Sequence, residues 1–96
     1  MLSQNNLVLN DFYTFWCMPC RKISIIIDEL KEEYFKSVQI LRIDIDISES
    51  LAESLEIMAV PTIILLKDSK EIWRHTTGLI SKDELTKLFD LHLKLI

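Results

Sequence analysis

The sequence predicts an α/β fold in which helices flank a central mixed β-sheet. Two observations predict it. Short, mostly apolar strand-like runs alternate with segments of helical period, in the order β-α-β-α-β-β-α. Near the C-terminus, TIILLK (62–67) and EIWRHTT (71–77) flank the polar DSK, which predicts an antiparallel hairpin. The chain has no Gly/Ser/Pro-rich linker and no repeat, so we expect one domain over residues 1–96.

The first half of the chain reads as strand, helix and strand. LVLNDFYTF (7–15) is largely apolar, as is typical of a strand buried on both faces. From Pro19 to about residue 35, apolar residues recur at steps of three and four, which predicts an amphipathic helix. VQILRIDIDI (38–47) alternates with a period of two, as strands do. One face carries Leu41, Ile43, Ile45 and Ile47, and the other carries Arg42, Asp44 and Asp46.

Two further helices are predicted from capping-box spacings. Ser50 and Glu53 have this spacing and predict a short helix over 50–57. Ser81 and Glu84 repeat it and predict the start of the final helix. The apolar residues of that last helix are Leu85, Leu88, Phe89 and Leu93.

Composition excludes several classes of function. With 96 residues, 49% of them hydrophobic, the chain can close a core without covalent help, and a bridge between its two cysteines would close a very short loop. A purely structural disulfide is therefore disfavoured. The net charge is −4 and the basic residues are scattered, which argues against nucleic acid. The sequence lacks a signal-peptide pattern and any run of about 20 apolar residues, so we expect a cytoplasmic protein with no membrane partner.

Both cysteines lie in FWCMPCRK (15–22). Cys17 falls where a strand ends and a helix begins, and Pro19 is tolerated in a first helical turn. A sulfur at this place faces unpaired backbone N–H groups and the positive end of the helix dipole, which favour thiolate over thiol. Cys20, one turn later on the same face, can reach Cys17 to form a bridge. These are the features of a dithiol reaction centre.

Metal binding is the competing interpretation of the cysteines. A structural zinc ion needs four ligands, and beyond the cysteines only His75 and His92 offer nitrogen, without finger-like spacing. A zinc site would then require two chains to share the ion, and we expect both histidines to be ordinary exposed residues. Asp44 and Asp46 are likewise expected to face solvent or cap the next helix.

Three motifs together resemble the thioredoxin family. DFYTFWCMPC (11–20) is similar to the family's Asp-Phe-Trp-Ala-x-Trp-Cys-Gly-Pro-Cys signature. AVPT (59–62) resembles its Ile-Pro-Thr loop, and GLISKDEL (78–85) resembles its glycine-containing approach to the last helix. Three motifs in order are far more specific than a lone C-x-x-C. The resemblance implies a thioredoxin-like fold that lacks the family's usual N-terminal strand and helix.

The resemblance implies roles for three residues near the sulfur chemistry. Cys17 would attack the substrate disulfide, and Cys20 would resolve the mixed disulfide. Asp11 occupies the place of the family's buried carboxylate, which assists proton transfer to and from the second cysteine. Its apolar neighbours would raise its pKa by desolvation. The alternative is that Asp11 only accepts hydrogen bonds at a strand end.

The resemblance also implies a substrate-binding rim. Pro61 corresponds to the family's cis-proline, which faces the cysteines, and Val60 would offer its backbone to an extended peptide. Trp16, Met18 and Ala59 would complete an apolar surface around the sulfurs. The alternative for Trp16 is a place in the core. Pro19 and Gly78 would have structural roles.

Four positions depart from the family pattern. Met18 and Ala59 stand where glycine is usual or frequent, and Phe15 is aromatic where polar residues are common. Arg42 replaces a common lysine and, as a permanent cation, would lower the pKa of Asp11. These changes bear on substrate preference and redox potential, and leave the sulfur chemistry intact.

By resemblance, the chain is expected to be a thiol-disulfide oxidoreductase that reduces protein disulfides by cycling between the Cys17/Cys20 dithiol and disulfide. No bound cofactor is implied, and a thioredoxin reductase or similar donor would supply electrons. We expect a monomer that serves electron transport and cell redox homeostasis with a reducing potential, since Met18 adds no positive charge beside the thiolate. The alternatives are a disulfide isomerase or partner-specific reductant, a non-enzymatic binding module, and a zinc-linked dimer.

Overall fold

The computed structural model describes residues 6–76 and 78–93. The elements follow the predicted order, and this part of the chain contains four strands and three helices. They are β1 (Leu7–Tyr13), α1 (Met18–Glu33), β2 (Val38–Asp44), α2 (Glu49–Ser54), β3 (Thr62–Lys67), β4 (Lys70–Thr76) and α3 (Lys82–Leu93). No helix in these residues is long and apolar enough to cross a membrane.

The strands form one mixed sheet in the order β2-β1-β3-β4. β1 and β2 are parallel, in register from Leu7 opposite Val38 to Tyr13 opposite Asp44. β3 runs antiparallel to both β1 and β4. The β3-β4 hairpin turns at Asp68 and Ser69, whose φ angles of 52° and 69° are of the sign that type I′ turns require.

The core lies between one face of the sheet and the helices α1 and α3. Every second residue of β1 points into it, and apolar residues of both helices fill it. The cluster consists of Leu7, Leu9, Ile23, Ile27, Leu30, Val38, Ile40, Ile63, Leu65, Ile80, Leu85 and Phe89. At the end of α1, the Tyr34 ring packs edge-on against Phe89 at 5.0 Å, and its hydroxyl donates to Asp90 at 2.9 Å.

One of the two predicted capping boxes is formed. The backbone N–H of Glu84 donates to Ser81 Oγ at 3.1 Å, and Glu84 Oε1 accepts from the N–H of Ser81 at 3.2 Å. The box predicted from Ser50 and Glu53 is wrong, because both residues lie inside α2. That helix begins earlier, since the N–H of Ala52 already donates to the carbonyl of Ser48 at 3.0 Å.

The strand predicted over 38–47 is shorter, and its inner face differs from a simple alternation of isoleucines and charges. The chain turns after Asp44, whose carbonyl accepts from the N–H of Ile47 at 3.1 Å. Val38 and Ile40 carry the core face, whereas Leu41 and Ile47 are exposed. The core-facing side therefore continues through Arg42, which is tolerated there because it pairs with a buried carboxylate.

β3 has the predicted bounds, and the other boundaries match the predictions or differ from them by up to three residues. β1 ends at Tyr13 instead of residue 15, α1 begins at Met18, and β4 begins at Lys70. Thr77, the predicted last residue of the hairpin, lies outside the described residues. Trp73 packs against the core cluster and lines a groove with Leu88 of α3.

Candidate active site

The sheet brings the three sequence motifs to one end. Thr62, the first residue of β3, lies opposite Phe12 near the end of β1 and opposite Thr76 at the end of β4. β2 ends at the same edge because it is parallel to β1. The segments that meet there are 14–17, 45–48, 59–61 and 78–80. The cysteine motif, the proline loop and the glycine loop therefore surround one site.

Cys17 is the N-cap of α1. Its backbone is extended, with φ −87° and ψ 113°, and its Sγ accepts the N–H of Cys20 at 3.2 Å. The N–H of Cys17 itself donates to the carbonyl of Thr14 at 3.3 Å. The first turn of α1 contains Pro19 and no acidic residue. The positive end of this helix therefore acts on the sulfur without a competing carboxylate.

Cys17 and Cys20 form a disulfide with a Cα-Cα distance of 5.2 Å. Cys17 is 5% exposed, whereas Cys20 is 1% exposed. An incoming disulfide can therefore reach the first cysteine more readily than the second. This asymmetry suits an attacking sulfur at Cys17 and an internal partner at Cys20.

Asp11 is a fully buried carboxylate in the middle of the sheet. It lies opposite Arg42 in the β1-β2 register, and its Oδ2 accepts from Arg42 Nε at 3.1 Å. Among the described residues, its Oδ1 has no hydrogen-bond partner. Burial raises the pKa of Asp11 above its ordinary value, and the Arg42 cation opposes the rise only in part. Both opposing effects agree with the sequence analysis.

The contact between Tyr13 and Arg42 was missed in the sequence analysis. The guanidinium carbon of Arg42 lies 4.1 Å from the centre of the Tyr13 ring, a cation-π distance. The β1-β2 register places Arg42 opposite Asp11, and Tyr13 stands two residues after Asp11 on the same face of β1. The contact could have been predicted from this register, but the register was not deducible from either strand alone.

Trp16 is 61% exposed, so the alternative that it belongs to the core is wrong. Its indole N–H donates to Asp46 Oδ2 at 3.1 Å. The Asp46 N–H in turn donates to Asp44 Oδ1 at 2.8 Å. The expectation that these acids only face solvent or cap a helix was therefore incomplete: the loop after β2 holds the tryptophan beside the cysteines.

The proline loop presents both polar and apolar features. The Val60-Pro61 peptide bond is cis, as predicted. Pro61 is buried, Ala59 and Val60 are half-buried, and the Thr62 hydroxyl donates to the carbonyl of Ala59 at 2.6 Å. Met58, which the sequence analysis did not single out, is 91% exposed.

Phe15 and Met18 are also exposed, on either side of the Trp16-Cys17 pair. Together with Trp16 and Met58 they place large apolar side chains in or directly beside the segments that meet at this end of the sheet. Single exposed apolar residues are common, but a group of them beside a reactive centre is typical of a binding surface.

Gly78 has a φ of +81°, and a Cβ placed on it would meet no atom within 4 Å. Glycine is therefore needed for its backbone conformation, not for space. Nearby, His75 Nε2 lies 3.3 Å from the Gly78 carbonyl oxygen, and the His75 ring stacks on Trp73.

The histidines are half-buried, which corrects the expectation that they are exposed. His75 is covered because it stacks on Trp73, and His92 lies near the end of α3, where its carbonyl accepts from Lys67. Within 6–76 and 78–93, no group of three or more His, Cys, Asp or Glu residues could hold a metal ion.

Comparisons with known proteins agree with this geometry. The sequence model of the family described as Thioredoxin matches residues 1–90. A thioredoxin of Chlamydia trachomatis is 42% identical over 88 residues, which cover 92% of this chain and 84% of that protein. A thioredoxin of Staphylococcus haemolyticus is 34% identical over 90 residues, covering 94% of this chain and 86% of that protein.

Solved structures give the same result. A mutant thioredoxin from Halobacterium salinarum superimposes with a TM-score of 0.86 at 31% identity. The superposition covers 98% of this chain and 80% of that protein.

Proposed function

The chain belongs to the thioredoxin family and is a thiol-disulfide oxidoreductase that reduces protein disulfides; we propose that Cys17 is its attacking residue and Cys20 its resolving residue. One observation carries the assignment. Cys17 Sγ accepts a backbone N–H at the acid-free N-terminus of α1, where a thiolate is favoured. Cys20 is more deeply buried and already bonded to it.

The reaction has two exchange steps. The Cys17 thiolate attacks one substrate sulfur, forming a mixed disulfide and expelling the other substrate sulfur as a thiolate, which takes up a proton. Cys20 then loses its proton and attacks Cys17 Sγ, which releases the second substrate thiol and forms the Cys17-Cys20 disulfide. Two electrons pass from the dithiol to the substrate. The second step is fast because both sulfurs belong to the same chain.

Asp11 is proposed to accept the proton of Cys20 in the second step and to return it when the disulfide is reduced again. The raised pKa of Asp11 supports this role, since an acid buried in this way can hold a proton nearer to neutral pH than an exposed one. Its unpartnered Oδ1 offers a place for the proton. If Asp11 were only a hydrogen-bond acceptor, this would account for the bond that Oδ2 accepts from Arg42, but not for the burial of Oδ1 without a partner.

Trp16, Met18, Ala59, Val60 and Pro61 are proposed to bind the substrate around its disulfide. Their common location at one end of the sheet and the exposure of the first two support this assignment. The Val60 backbone would pair with an extended substrate segment, and the apolar side chains would cover it.

The cellular setting is also proposed. A thioredoxin reductase or similar donor returns electrons to the disulfide, with no further bound cofactor, and the protein acts as a monomer of one domain. It serves electron transport and redox homeostasis in the cytoplasm. We expect a reducing potential. Equilibration with glutathione buffers measures the reduction potential, and a value as high as about −120 mV would contradict this expectation.

Insulin reduction with dithiothreitol as electron source tests the proposal. We expect the wild type to accelerate precipitation of the insulin B chain over dithiothreitol alone. After reduction and removal of the dithiothreitol, Cys20→Ser, which cannot resolve, should accumulate a mixed disulfide with insulin at Cys17, detected by mass spectrometry after tryptic digestion. Absence of this mixed disulfide, with no acceleration by the reduced wild type, would contradict the proposal. Higher activity on scrambled ribonuclease than on insulin would indicate an isomerase instead.

A further inference from the structure

Two arginine-carboxylate pairs in this protein differ in geometry. Arg74 contacts Glu71 through two N–H groups, with Nε 2.8 Å from Oε2 and Nη2 2.9 Å from Oε1. This two-point contact is the arrangement that the planar guanidinium favours with a carboxylate. Arg42 contacts Asp11 through Nε alone, at 3.1 Å. The two arginine side chains are similarly exposed, at 29% and 27%, whereas the Asp11 side chain is fully buried and that of Glu71 is 40% exposed.

The second contact of the Arg42 guanidinium is aromatic. Its carbon lies 4.1 Å from the centre of the Tyr13 ring, and Tyr13 stands two residues from Asp11 on the same strand. A guanidinium held on a ring face has its plane fixed by that ring. Arg42 is therefore held from two sides, by the carboxylate and by the ring, and neither contact involves the Asp11 Oδ1 atom.

We propose that Tyr13 is a positioning residue that holds Arg42 in one-point contact with Asp11 and so leaves the second carboxylate oxygen free to exchange a proton. The catalytic use of that oxygen rests on the proposed role of Asp11. The positioning itself concerns only the three side chains and can be measured without substrate.

The chemistry of arginine explains why this arrangement is useful. Arginine stays protonated at any working pH, so it stabilises the carboxylate but cannot itself deliver or accept the proton. If both carboxylate oxygens were bonded to it, Asp11 would be a weaker proton acceptor. With one oxygen bonded and the other free, the charge of Asp11 is supported and one site for a proton remains.

Arg42 is the charged group that acts on the titration of Asp11. On β3, the residue opposite Asp11 is the apolar Ile63, and α1 contributes Ile23 to the core on this face of the sheet. Asp44 lies opposite Tyr13 at the end of β2. Cys20 does not titrate while it is in the disulfide. The oxidised protein therefore reports the Asp11-Arg42-Tyr13 interaction without interference from the thiols.

The test is a ¹³C NMR titration of the Asp11 carboxyl group in the oxidised protein. Tyr13→Phe keeps the ring face and should titrate like the wild type. Tyr13→Leu keeps an apolar cover but removes the cation-π contact, so Arg42 can bond both carboxylate oxygens and the Asp11 midpoint should fall by roughly half a pH unit. Arg42→Met removes the cation and should raise the Asp11 midpoint above that of the wild type. In the reduced protein, the pH profile of insulin reduction should shift in the same directions.

Matched controls come from the same chain. Phe35→Leu removes an aromatic ring under the cation of Lys36, and Arg74→Met removes the arginine of the two-point pair. Neither should move the Asp11 midpoint. Thermal unfolding confirms that each variant is folded, and Tyr13→Phe tests the ring even where Tyr13→Leu is destabilised.

Two results would overturn the inference. One is a Tyr13→Leu midpoint equal to or above that of the wild type while Arg42→Met raises the midpoint. The other is a Tyr13→Phe midpoint that moves as far as that of Tyr13→Leu. If instead the predicted order of midpoints is observed but Asp11→Asn retains full turnover, positioning is supported and the proposed catalytic role of Asp11 fails.

Discussion

The helices α1 and α3 begin with the same hydrogen bond made by different atoms. At α1, Cys17 Sγ accepts from the N–H of Cys20, three residues later, at 3.2 Å. At α3, Ser81 Oγ accepts the N–H of Glu84, again three residues onward, at 3.1 Å. Both side chains satisfy a backbone donor that the helix itself leaves unpaired.

The surroundings of the two N-caps differ. The first turn of α3 carries Asp83 and Glu84, whose negative charges complement the positive end of the helix. The first turn of α1 carries no acid and includes a proline. The helix end is thus neutralised by its own residues in α3, and in α1 it remains available to a charged sulfur. The same capping geometry serves stability in one helix and reactivity in the other.

The largest effect is expected from Cys17→Ser, which makes the first N-cap chemically like the second. Serine is a good N-cap, so the variant should fold and unfold thermally much as the reduced wild type does. It lacks the nucleophilic thiolate, so insulin reduction should fall to the rate of dithiothreitol alone. Turnover that survives this substitution would show that Cys17 is not the nucleophile.

Met18→Glu introduces an acid into the first turn of α1, as α3 already has. The added charge should disfavour the Cys17 thiolate by about 0.3–1 kcal/mol. At pH values below the titration midpoint of Cys17, the thiolate population should therefore fall by roughly two- to fivefold. Thiolate absorbance at 240 nm, followed against pH in the reduced protein, measures the expected shift of the midpoint to higher pH. Met18→Gln has nearly the same shape without the charge. If the two variants titrate alike, the acid-free first turn has no role in activating the sulfur.

Asp11→Asn tests how the buried carboxyl group changes the free energy of unfolding. The first turn of α1 contains no acid, and Asp11 is a fully buried acid in the neighbouring strand β1. Because burial raises the pKa of Asp11, the folded state binds its proton more tightly than the unfolded state. Stability from this group is therefore present at low pH and is lost as pH rises above the ordinary value of 3.8.

The variant, which has no such proton, should gain stability relative to the wild type as the pH rises from 3.8 toward neutral. Urea unfolding of both oxidised proteins across this range measures the difference. A difference that stays constant with pH would contradict the raised pKa.

The smallest effect is expected from Ser81→Ala, which removes the α3 cap. We expect a loss of about 1 kcal/mol in the free energy of unfolding and unchanged insulin reduction. Ser50→Ala is the matched control, because Ser50 lies inside α2 and caps nothing, so alanine should cost little there. Equal losses in both variants would mean that the Ser81 hydrogen bond does not stabilise α3.

The sequence by itself determined the order and type of the elements and the location of the reactive pair. Periods of two and about 3.6 residues are local properties, so a strand and a helix can be recognised without knowing their neighbours. Placement of Cys17 at a helix N-terminus followed from the strand before it and the proline after it. The Ser81-Glu84 box was predictable because all of its hydrogen bonds lie within four residues.

Only the tertiary structure decided which side chains meet across the sheet. Asp11 and Arg42 are separated by 31 residues and touch because β1 and β2 pair in one particular register. The Tyr13 ring reaches the same guanidinium for that reason, and Trp16 finds Asp46 where the two strands end together. A register is a property of two strands at once, since each strand alone is compatible with several pairings. The chemistry of the cysteines was therefore legible along the chain, and the environment of the acid behind them was not.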